Sequence, residues 1–168
     1  MTRRDIEEKL AKHYGLKNHI IHTNITCLNI REAGKSDMLV IDRKKRCEEL
    51  KIFMEIDTLR NEYAKNFLIW DERIYRTVYV FPKSLYINCT KNIDIIIPKN
   101  FGLILVDDSG IGDIKLIKHR LGEYNSNSRN LTDKEIFNIC MDGNDVRWKY
   151  QSLVGRDNEL KKVGIGYW

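Results

Sequence analysis

Three acidic side chains carry the chemistry that this sequence suggests most directly. Asp37 opens a short apolar run, and Glu55 and Asp57 lie two residues apart in a later one. Residues two apart in a β-strand point to the same face, so Glu55 and Asp57 are expected to face the same way. Carboxylates at the ends of adjacent strands repel one another unless a cation lies between them, and such hard oxygen ligands favour Mg²⁺ or Mn²⁺. The three residues therefore predict a metal site able to activate water for attack on a phosphodiester.

A purely structural role for these carboxylates stays open at this point. Acidic residues are common where strands end, and an Asp in a turn usually bonds nearby backbone or water. The spacing of the three residues fits both roles, so the choice depends on the elements that position them.

The pattern of apolar residues predicts those elements. Helical spacing of Ile6, Leu10 and Tyr14 predicts a first helix over residues 2–14. The apolar runs after it predict three antiparallel strands, then a helix leading to a fourth strand that lies parallel to the third. The predicted strands cover residues 20–30, 37–42, 50–58, 76–81, 101–106 and 113–118, and the helix after the third strand covers 59–72. This order implies an α/β fold, a mixed central sheet flanked by helices.

The C-terminal part of the sequence has a different character. Residues 122–130 are rich in Ser and Asn, which predicts a loop or linker. A short helix is expected to start at Leu131 or Thr132, because Thr132 and Glu135 have the spacing of a capping box. A last helix is expected over residues 145–161.

Composition is ordinary for a folded protein with one core. The chain has 168 residues, 42% of them hydrophobic and 32% charged, which suits a single domain. The formal net charge of +5 is compatible with a nucleic-acid partner, or with solubility alone. The four cysteines are far apart, which favours reduced thiols over a zinc site. The sequence shows neither a signal peptide nor a membrane helix, so a cytoplasmic location without membrane contact is expected.

Four short segments form a further pattern through their order and spacing. Lys35-Ser36-Asp37 precedes the apolar run MLVID, and residues 55–63 follow the next strand-like run. Residues 76–82 are rich in aromatic and β-branched side chains and end in proline, and residues 98–104 read PKNFGLI. Together these segments resemble the MmcB-like branch of the PD-(D/E)XK nuclease superfamily, a branch related to DNA repair proteins.

The resemblance has several implications. It implies a restriction-endonuclease-like core, α-β-β-β-α-β-β, over residues 1–121, with residues 122–168 as a linker and C-terminal helical extension that packs on the core. It implies metal-dependent hydrolysis of DNA, in DNA repair or in phage or mobile-element biology. Asp37, Glu55 and Asp57 would hold Mg²⁺ or Mn²⁺ and, with Lys51, form the catalytic set. Nucleases of this plan often pair to cut two strands, so a homodimer is a further expectation.

The chain departs from the family pattern at the lysine of the E-x-K motif. Asp57 stands where that lysine is expected, and an aspartate cannot neutralise charge that develops on a phosphate. Lys51, two pleats back on the same predicted strand, could replace the lysine, as could Arg60 or Lys65 on the following helix. Relatives often supply another acidic ligand from the first helix, where this chain has Glu7 and Glu8.

A second way of matching this chain to the E-x-K motif, called here a second register, retains the lysine. Glu49-Leu50-Lys51 is a literal E-x-K, twelve residues after Asp37. We prefer the register of Glu55, because the residues after Glu55 fit the family pattern better. Loss of catalysis is a further alternative.

Basic residues are the candidate contacts to nucleic acid. A dense run occupies the predicted turn after the second strand, next to the supposed site, and two more residues lie on the following helix: Arg43, Lys44, Lys45, Arg46, Arg60 and Lys65. Such side chains would contact phosphates and make binding dependent on salt without reading the base sequence. The structural alternative is an exposed hairpin tip whose charge prevents edge-to-edge association.

Three functions of different classes are therefore compatible with the sequence. The first is a metal-dependent nuclease that cuts DNA. The second is a catalytically inactive PD-(D/E)XK-like module that binds nucleic acid or protein, an alternative that Asp57 in place of lysine keeps open. The third is a partner-binding protein such as a small phage or mobile-element inhibitor, which predicts no salt-dependent binding to DNA.

Overall fold

Strands and helices alternate along the chain, which a computed structural model describes over residues 1–15, 20–25, 36–63, 71–97, 99–107 and 115–142. The described helices are α1 (Arg3–Gly15), α2 (Ile56–Tyr63), α3 (Lys83–Ile96) and α4 (Asp133–Asp142). The described strands are β1 (Ile20–Ile25), β2 (Ser36–Ile41), β3 (Cys47–Ile52), β4 (Ile74–Pro82), β5 (Gly102–Asp107) and β6 (Lys115–Arg120). None of the helices in these ranges has the length and apolar character that a membrane crossing requires.

The described strands form one sheet in the order in which they occur along the chain. β1, β2 and β3 form an antiparallel meander, β3, β4 and β5 run parallel, and β6 returns antiparallel to β5. The connections between the parallel strands contain α2 and α3, because parallel neighbours need a crossover. The fold is therefore α/β with a mixed sheet flanked by helices, consistent with a restriction-endonuclease-like core. The predicted parallel pairing of the third and fourth strands is confirmed.

Helix α1 covers one face of the sheet. Its buried residues recur at helical spacing: Ile6, Leu10, Ala11 and Tyr14. They belong to one cluster with alternate residues of the central strands: Met38, Val40, Leu50, Ile52, Val78, Val80, Ile104 and Val106. Because alternate residues of a strand share a face, this pattern gives the sheet a continuous apolar surface on which α1 packs.

The opposite face carries two separate apolar clusters. One lies against α2 and α3 and contains Phe53, Leu59, Tyr79, Phe81, Tyr86, Ile93, Ile97, Phe101, Leu103 and Leu105. The other joins α4 and the segment before it to the sheet, through Leu39, Ile41, Cys47, Ile74, Leu131 and Ile139. The candidate site lies on the part of the sheet between these two clusters.

The third strand is shorter than the sequence analysis predicted. β3 ends at Ile52 and α2 begins at Ile56, whereas a strand over residues 50–58 was predicted. Ile56 and Leu59 pack together against the cluster under α3, at the three-residue spacing of a helix. Asp57 in the first turn favours a helix start, because the helix dipole attracts an acidic group there.

Helix α3 was not predicted from the sequence. β4 runs into this helix directly, since Pro82 ends the strand and Lys83 begins the helix. The helix contains four Ile and two Asn, which have weaker helix propensity than Ala or Leu. Its backbone also leaves helical geometry at Cys89, where φ is −125° and ψ is 16°.

The C-terminal predictions agree with the structure as far as residue 142. The segment 122–130 is a loop, although hydrogen bonds hold it to β4: the Asn125 backbone N–H donates to the carbonyl of Tyr75 at 2.9 Å, and Asn125 Nδ2 donates to the carbonyl of Ile74 at 3.1 Å. α4 starts within two residues of its predicted start. The predicted helix over residues 145–161 lies outside the described residues.

Candidate functional site

Asp37 lies at the start of β2, close to the first turn of α1. Its Oδ2 accepts a hydrogen bond from the backbone N–H of Ile52 on β3, at 2.9 Å. Its Oδ1 accepts a hydrogen bond from Nη2 of Arg3, at 2.5 Å. Asp37 is therefore partly exposed to solvent, yet both of its carboxylate oxygens have partners within the protein.

Glu49 and Lys51 lie two residues apart on β3 and so project from the same face of that strand. Both are buried, with 0% of Glu49 and 4% of Lys51 exposed. Glu and Lys are almost never buried to this extent unless they have partners. Their burial separates this pair from the many Glu and Lys side chains at the surface of the chain.

Strand pairing brings Asp37 to the same face as Glu49 and Lys51. Met38 lies opposite Leu50 in the antiparallel ladder, so one residue earlier on β2 Asp37 lies opposite Lys51. Residues directly opposite each other in a ladder project from one face of the sheet. The three side chains therefore have the relation that the literal E-x-K register requires.

Thr77 on β4 extends this set of polar side chains. It is paired with Glu49 across the parallel ladder, is buried, and its Oγ1 lies 3.5 Å from Oε2 of Glu49. The apolar clusters on either side restrict water around these groups, and charges interact more strongly in such surroundings than in water. A fixed ammonium in such a place can stabilise the negative charge that develops on a reacting phosphate.

Glu48 is adjacent to Glu49 in the chain but lies on the opposite face, where it has a structural role. Its Oε1 accepts a hydrogen bond from the hydroxyl of Tyr14 at 2.9 Å. Its Oε2 accepts hydrogen bonds from Nε of Arg76 at 3.0 Å and from Nη2 of the same side chain. Burial raises the pKa of Tyr14, and the nearby charge of Glu48 raises it further. Glu48 thus links α1 to β4.

Glu55 and Asp57, the predicted metal ligands beside Asp37, lie outside the strands. Glu55 is in the bend between β3 and α2, Asp57 is in the first turn of α2, and both are exposed. Asp57 accepts a hydrogen bond from Nη1 of Arg60 at 3.2 Å. Because neither residue belongs to β3, neither shares a strand face with Lys51, and the geometry assumed for the register of Glu55 is wrong.

The basic run at residues 43–46 lies at the far end of β2 from Asp37. Asp42, at the start of the turn, is five positions after Asp37 in the chain, which is roughly 16 Å at the rise of an extended strand. The expectation that this run borders the site is therefore wrong. The run forms the tip of the β2–β3 hairpin, where Asp42 holds the turn by accepting from the backbone N–H groups of Lys44 and Arg46 at 2.8 and 3.0 Å.

The basic side chains at this tip differ in their exposure and in their contacts within the protein. Arg43 and Lys44 are exposed. Nζ of Lys45 lies 2.9 Å from Oδ1 of Asp133 on α4. Arg46 is paired with Asp42 at 2.6 Å and lies over the ring of Tyr75, 4.6 Å from its centroid. Among the other predicted nucleic-acid contacts, Arg60 is exposed, and Lys65 lies outside the described residues.

The donor chemistry suits a hard cation, because Asp37 and Glu49 offer carboxylate oxygens of the kind that Mg²⁺ and Mn²⁺ prefer. In the part of the chain that the structure describes, however, no three His, Cys, Asp or Glu side chains come close enough together to hold a metal ion. The guanidinium of Arg3 lies on Asp37 and also bonds Glu7, at 3.0 Å from its Oε1. Asp37 and Glu49 thus supply two carboxylates without a third beside them among the described residues, and Arg3 occupies one side of Asp37.

Comparisons with known proteins bear on the fold. No protein-family model matches the sequence, and no curated protein matches it. A solved structure, the SPO1766 protein of unknown function from Silicibacter pomeroyi, matches over 83% of this chain and 81% of that chain, with a TM-score of 0.51 and 11% sequence identity. The chain is thus similar in fold to SPO1766, and at this level of identity the likeness extends to the fold alone.

Proposed function

We propose that this protein is a metal-dependent nuclease that hydrolyses DNA phosphodiester bonds. The observation that carries the proposal is the burial of Glu49 and Lys51 on one face of β3, with Asp37 opposite them on β2. This arrangement matches the literal E-x-K motif, Glu49-Leu50-Lys51. The sheet that carries it is consistent with a restriction-endonuclease-like fold.

A contribution to stability is a poor explanation for the burial of Glu49 and Lys51. Burial of an ionised carboxylate and an ammonium carries a desolvation penalty, and apolar side chains of similar volume are often at least as stabilising. Ionisable groups held in such surroundings cluster at functional sites, where the surroundings adjust their protonation and orientation. Glu49 and Lys51 therefore support a catalytic role better than a packing role.

Each of the three residues has a distinct role in the proposal. Asp37 and Glu49 would hold Mg²⁺ or Mn²⁺, which would supply a bound water of lowered pKa and neutralise charge on the phosphate. Lys51 would neutralise charge that develops on the phosphodiester, from a position fixed by the strand. Thr77 would keep the carboxylate of Glu49 in place.

Charge distribution supports a polyanionic substrate. The chain carries a formal net charge of +5, and Arg43 and Lys44 are exposed at the hairpin tip. Contacts from these two side chains would add affinity away from the reacting phosphate and would weaken as salt rises.

An inactive binding module is the second candidate, and one observation favours it. Both oxygens of Asp37 are satisfied within the protein, by Arg3 and by the backbone of β3. A carboxylate partnered in this way can serve a purely structural role. Such a module would keep salt-dependent binding to nucleic acid without cleavage.

The test is a cleavage assay with supercoiled plasmid, linear duplex, single-stranded DNA and RNA, each with Mg²⁺, Mn²⁺ or a chelator. The wild type is compared with Asp37→Asn and Lys51→Met, and with the pair Glu55→Gln and Asp57→Asn as the matched control for the other register. We expect cleavage of DNA by the wild type and by the control pair, and loss with Asp37→Asn and with Lys51→Met.

Binding measurements on the same proteins separate the two candidates. Absence of cleavage on every substrate, together with salt-dependent DNA binding that Asp37→Asn leaves intact, would replace the nuclease by the inactive module. Absence of both cleavage and binding would remove nucleic acid from the function altogether. Circular dichroism of each variant shows whether a loss reflects the site or the fold.

A further inference from the structure

Two aromatic rings and two arginines contact one another at the end of the sheet where β4 begins. The rings of Tyr75 and Tyr124 are stacked, with centroids 4.6 Å apart and an angle of 22° between their planes. The guanidinium of Arg46 lies 4.6 Å from the centroid of Tyr75, and that of Arg76 lies 5.5 Å from the centroid of Tyr124. Cations are attracted to aromatic rings at such distances. Each ring is therefore held by the other ring and by a guanidinium.

Tyr124 is the exposed member of this aromatic stack. It is 57% exposed, so its contacts within the stack leave a large part of the ring open to solvent. The backbone on either side is fixed by hydrogen bonds: the Glu123 N–H donates to the carbonyl of Asn100 at 2.6 Å, and the Asn125 N–H donates to that of Tyr75 at 2.9 Å. A preformed surface loses little conformational entropy on binding. Tyr124 therefore offers a fixed surface on which another flat ring could stack.

The tip of the β2–β3 hairpin adds positive charge beside the aromatic stack. Arg46 belongs to both, and Arg43 and Lys44, which precede it in the turn, are exposed. The turn is fixed from outside as well, because the Leu131 N–H donates to the carbonyl of Lys45 at 2.8 Å. Proteins that bind single-stranded nucleic acid combine basic side chains, which contact the phosphates, with aromatic side chains on which the bases stack. Both kinds of group are present here on rigid backbone.

Acidic side chains keep the positive charge of this surface modest. Asp42 is paired with Arg46 and Asp133 with Lys45, and Glu123 is exposed. The two exposed cations of the tip therefore contribute most of the charge that a polyanion would meet. We accordingly expect stacking to contribute more to binding than charge does.

We propose that Tyr124 is a stacking platform for an unpaired base of single-stranded DNA, with Arg43 and Lys44 contacting the phosphates beside it. Bases within a duplex are covered by their neighbours, so the platform favours an unpaired strand. The inference rests on the part of the proposed function that makes DNA the partner, and it holds whether or not the DNA is cut. The platform is separate from the candidate site, because Lys51 is five positions after Arg46, roughly 16 Å along an extended strand.

The test is fluorescence anisotropy of labelled DNA titrated with the full chain at low salt, with a chelator present so that cleavage does not intervene. The probes are an oligothymidine of about 15 nucleotides, near the upper site size of single-strand binding folds, and a blunt duplex of similar length. Tyr124→Ala removes the platform, and Tyr124→Phe retains the ring. Phe137→Ala is the matched control, since Phe137 is a 62% exposed ring on α4, outside the aromatic stack.

The wild type should bind the oligothymidine more tightly than the duplex. Tyr124→Ala should weaken binding to the oligothymidine roughly five- to hundredfold, from the loss of one stacked base. Tyr124→Phe and Phe137→Ala should stay within about twofold of the wild type. Equal affinities in the wild type and Tyr124→Ala, or preference for the duplex, would overturn the platform. Tyr124→Leu, which keeps an apolar side chain without a flat ring, repeats the test should Tyr124→Ala fold poorly.

Salt dependence tests the role of the two cations. The double variant Arg43→Gln and Lys44→Gln should reduce the slope of log affinity against log salt concentration by about 1.4 for a single strand. The double variant Lys91→Gln and Lys115→Gln removes the same charge from exposed positions on α3 and β6, and it should leave the slope unchanged. Equal slopes in the two double variants would refute the phosphate contacts.

A cleavage assay with Mg²⁺ on the same proteins reports on the nuclease separately. Weaker binding by Tyr124→Ala without cleavage by any protein would support the platform and refute the nuclease. Cleavage by the wild type, together with unchanged binding by Tyr124→Ala, would refute the platform and leave the nuclease standing. Binding of an oligouridine of the same length but not of the oligothymidine would overturn the assignment to DNA.

Discussion

The two faces of the central sheet are made by the same strands, yet they bury different kinds of side chain. Under α1 the centre of the sheet is apolar, and the charged pair of Glu48 and Arg76 has its partner in the hydroxyl of Tyr14. On the other face Glu49 and Lys51 are buried between two apolar clusters. Each face thus contains a carboxylate and a cation with little exposure, but those of the second face are the more deeply buried. Burial of such charges is costly, and the proposed function would give a reason for it on the second face.

The adjacent residues Glu48 and Glu49 provide the strongest test of this comparison. Glu49→Gln should lower the rate of DNA cleavage roughly 10²- to 10³-fold, because it removes a charge from the proposed site. Glu48→Gln should leave the rate per folded molecule close to that of the wild type and lower stability by about 1–3 kcal/mol, because Arg76 loses its charged partner. Initial rates corrected for the folded fraction check both. Similar losses of rate in the two variants would refute the distinction between the faces.

The face under α1 should respond to mutation in stability alone. Leu10→Ala removes a fully buried side chain from the contact of α1 with the sheet and should lower the free energy of unfolding by about 2–5 kcal/mol. Ile87→Ala on α3, where the side chain is 62% exposed, is the control and should change it by less than about 0.5 kcal/mol. Urea denaturation measures both. A change below about 1 kcal/mol for Leu10→Ala would show that α1 is loosely docked.

Replacing Glu49 and Lys51 at the same time should abolish activity without lowering stability. The double variant Glu49→Leu and Lys51→Met puts apolar side chains where a carboxylate and an ammonium are buried. We expect stability to be unchanged or to rise by up to about 4 kcal/mol, as for other buried charges replaced by apolar groups, and cleavage to be lost. The same urea experiment applies. A drop of more than about 3 kcal/mol would mean that these charges hold the fold together.

The surface pair of Arg129 and Glu135, at the start of α4, should affect stability only, and in a pH-dependent way. Hydrogen bonds from Arg129 lower the pKa of Glu135 from 4.5 to about 2. The folded state thus favours the ionised carboxylate, so this contribution is present above pH 4.5 and is lost as pH falls towards 2. Glu135→Gln should lower Tm at pH 7 by the equivalent of less than about 1 kcal/mol, since Arg129 is exposed. The difference from the wild type should shrink between pH 4.5 and pH 2, and a constant difference would contradict this origin.

The arrangement of the strands could be predicted because its signals are local. Apolar runs broken by turn residues indicated an antiparallel meander and a parallel crossover, and both are present. The capping box was also predicted from spacing: the Thr132 N–H donates to Oε2 of Glu135 at 2.8 Å, and the Glu135 N–H donates to Oγ1 of Thr132 at 3.2 Å. Each of these features depends on residues close together in the chain.

The register of the candidate site depends on contacts that are not local. Whether Glu49 or Glu55 belongs to the strand depends on where β3 ends, and Ile56 and Leu59 leave the strand to pack with α3. Because α3 was not predicted, no feature of the sequence indicated that the strand should stop at Ile52. The contact of Arg3 with Asp37 joins residues 34 positions apart, and no spacing rule indicates such a pair.

Helix α1 leaves the ribosome before any of the strands that it covers. Its apolar face packs on residues as late as Val106, and Arg3 and Tyr14 find their partners on β2 and β3. During synthesis the nascent chain therefore exposes an amphipathic helix until β5 has emerged, a stage at which uncovered apolar surface invites chaperones or aggregation. The contact between Arg3 and Asp37 needs only α1 and β2, whereas the candidate site also needs β3 and β4, so the site can assemble before the apolar surface of α1 is fully covered.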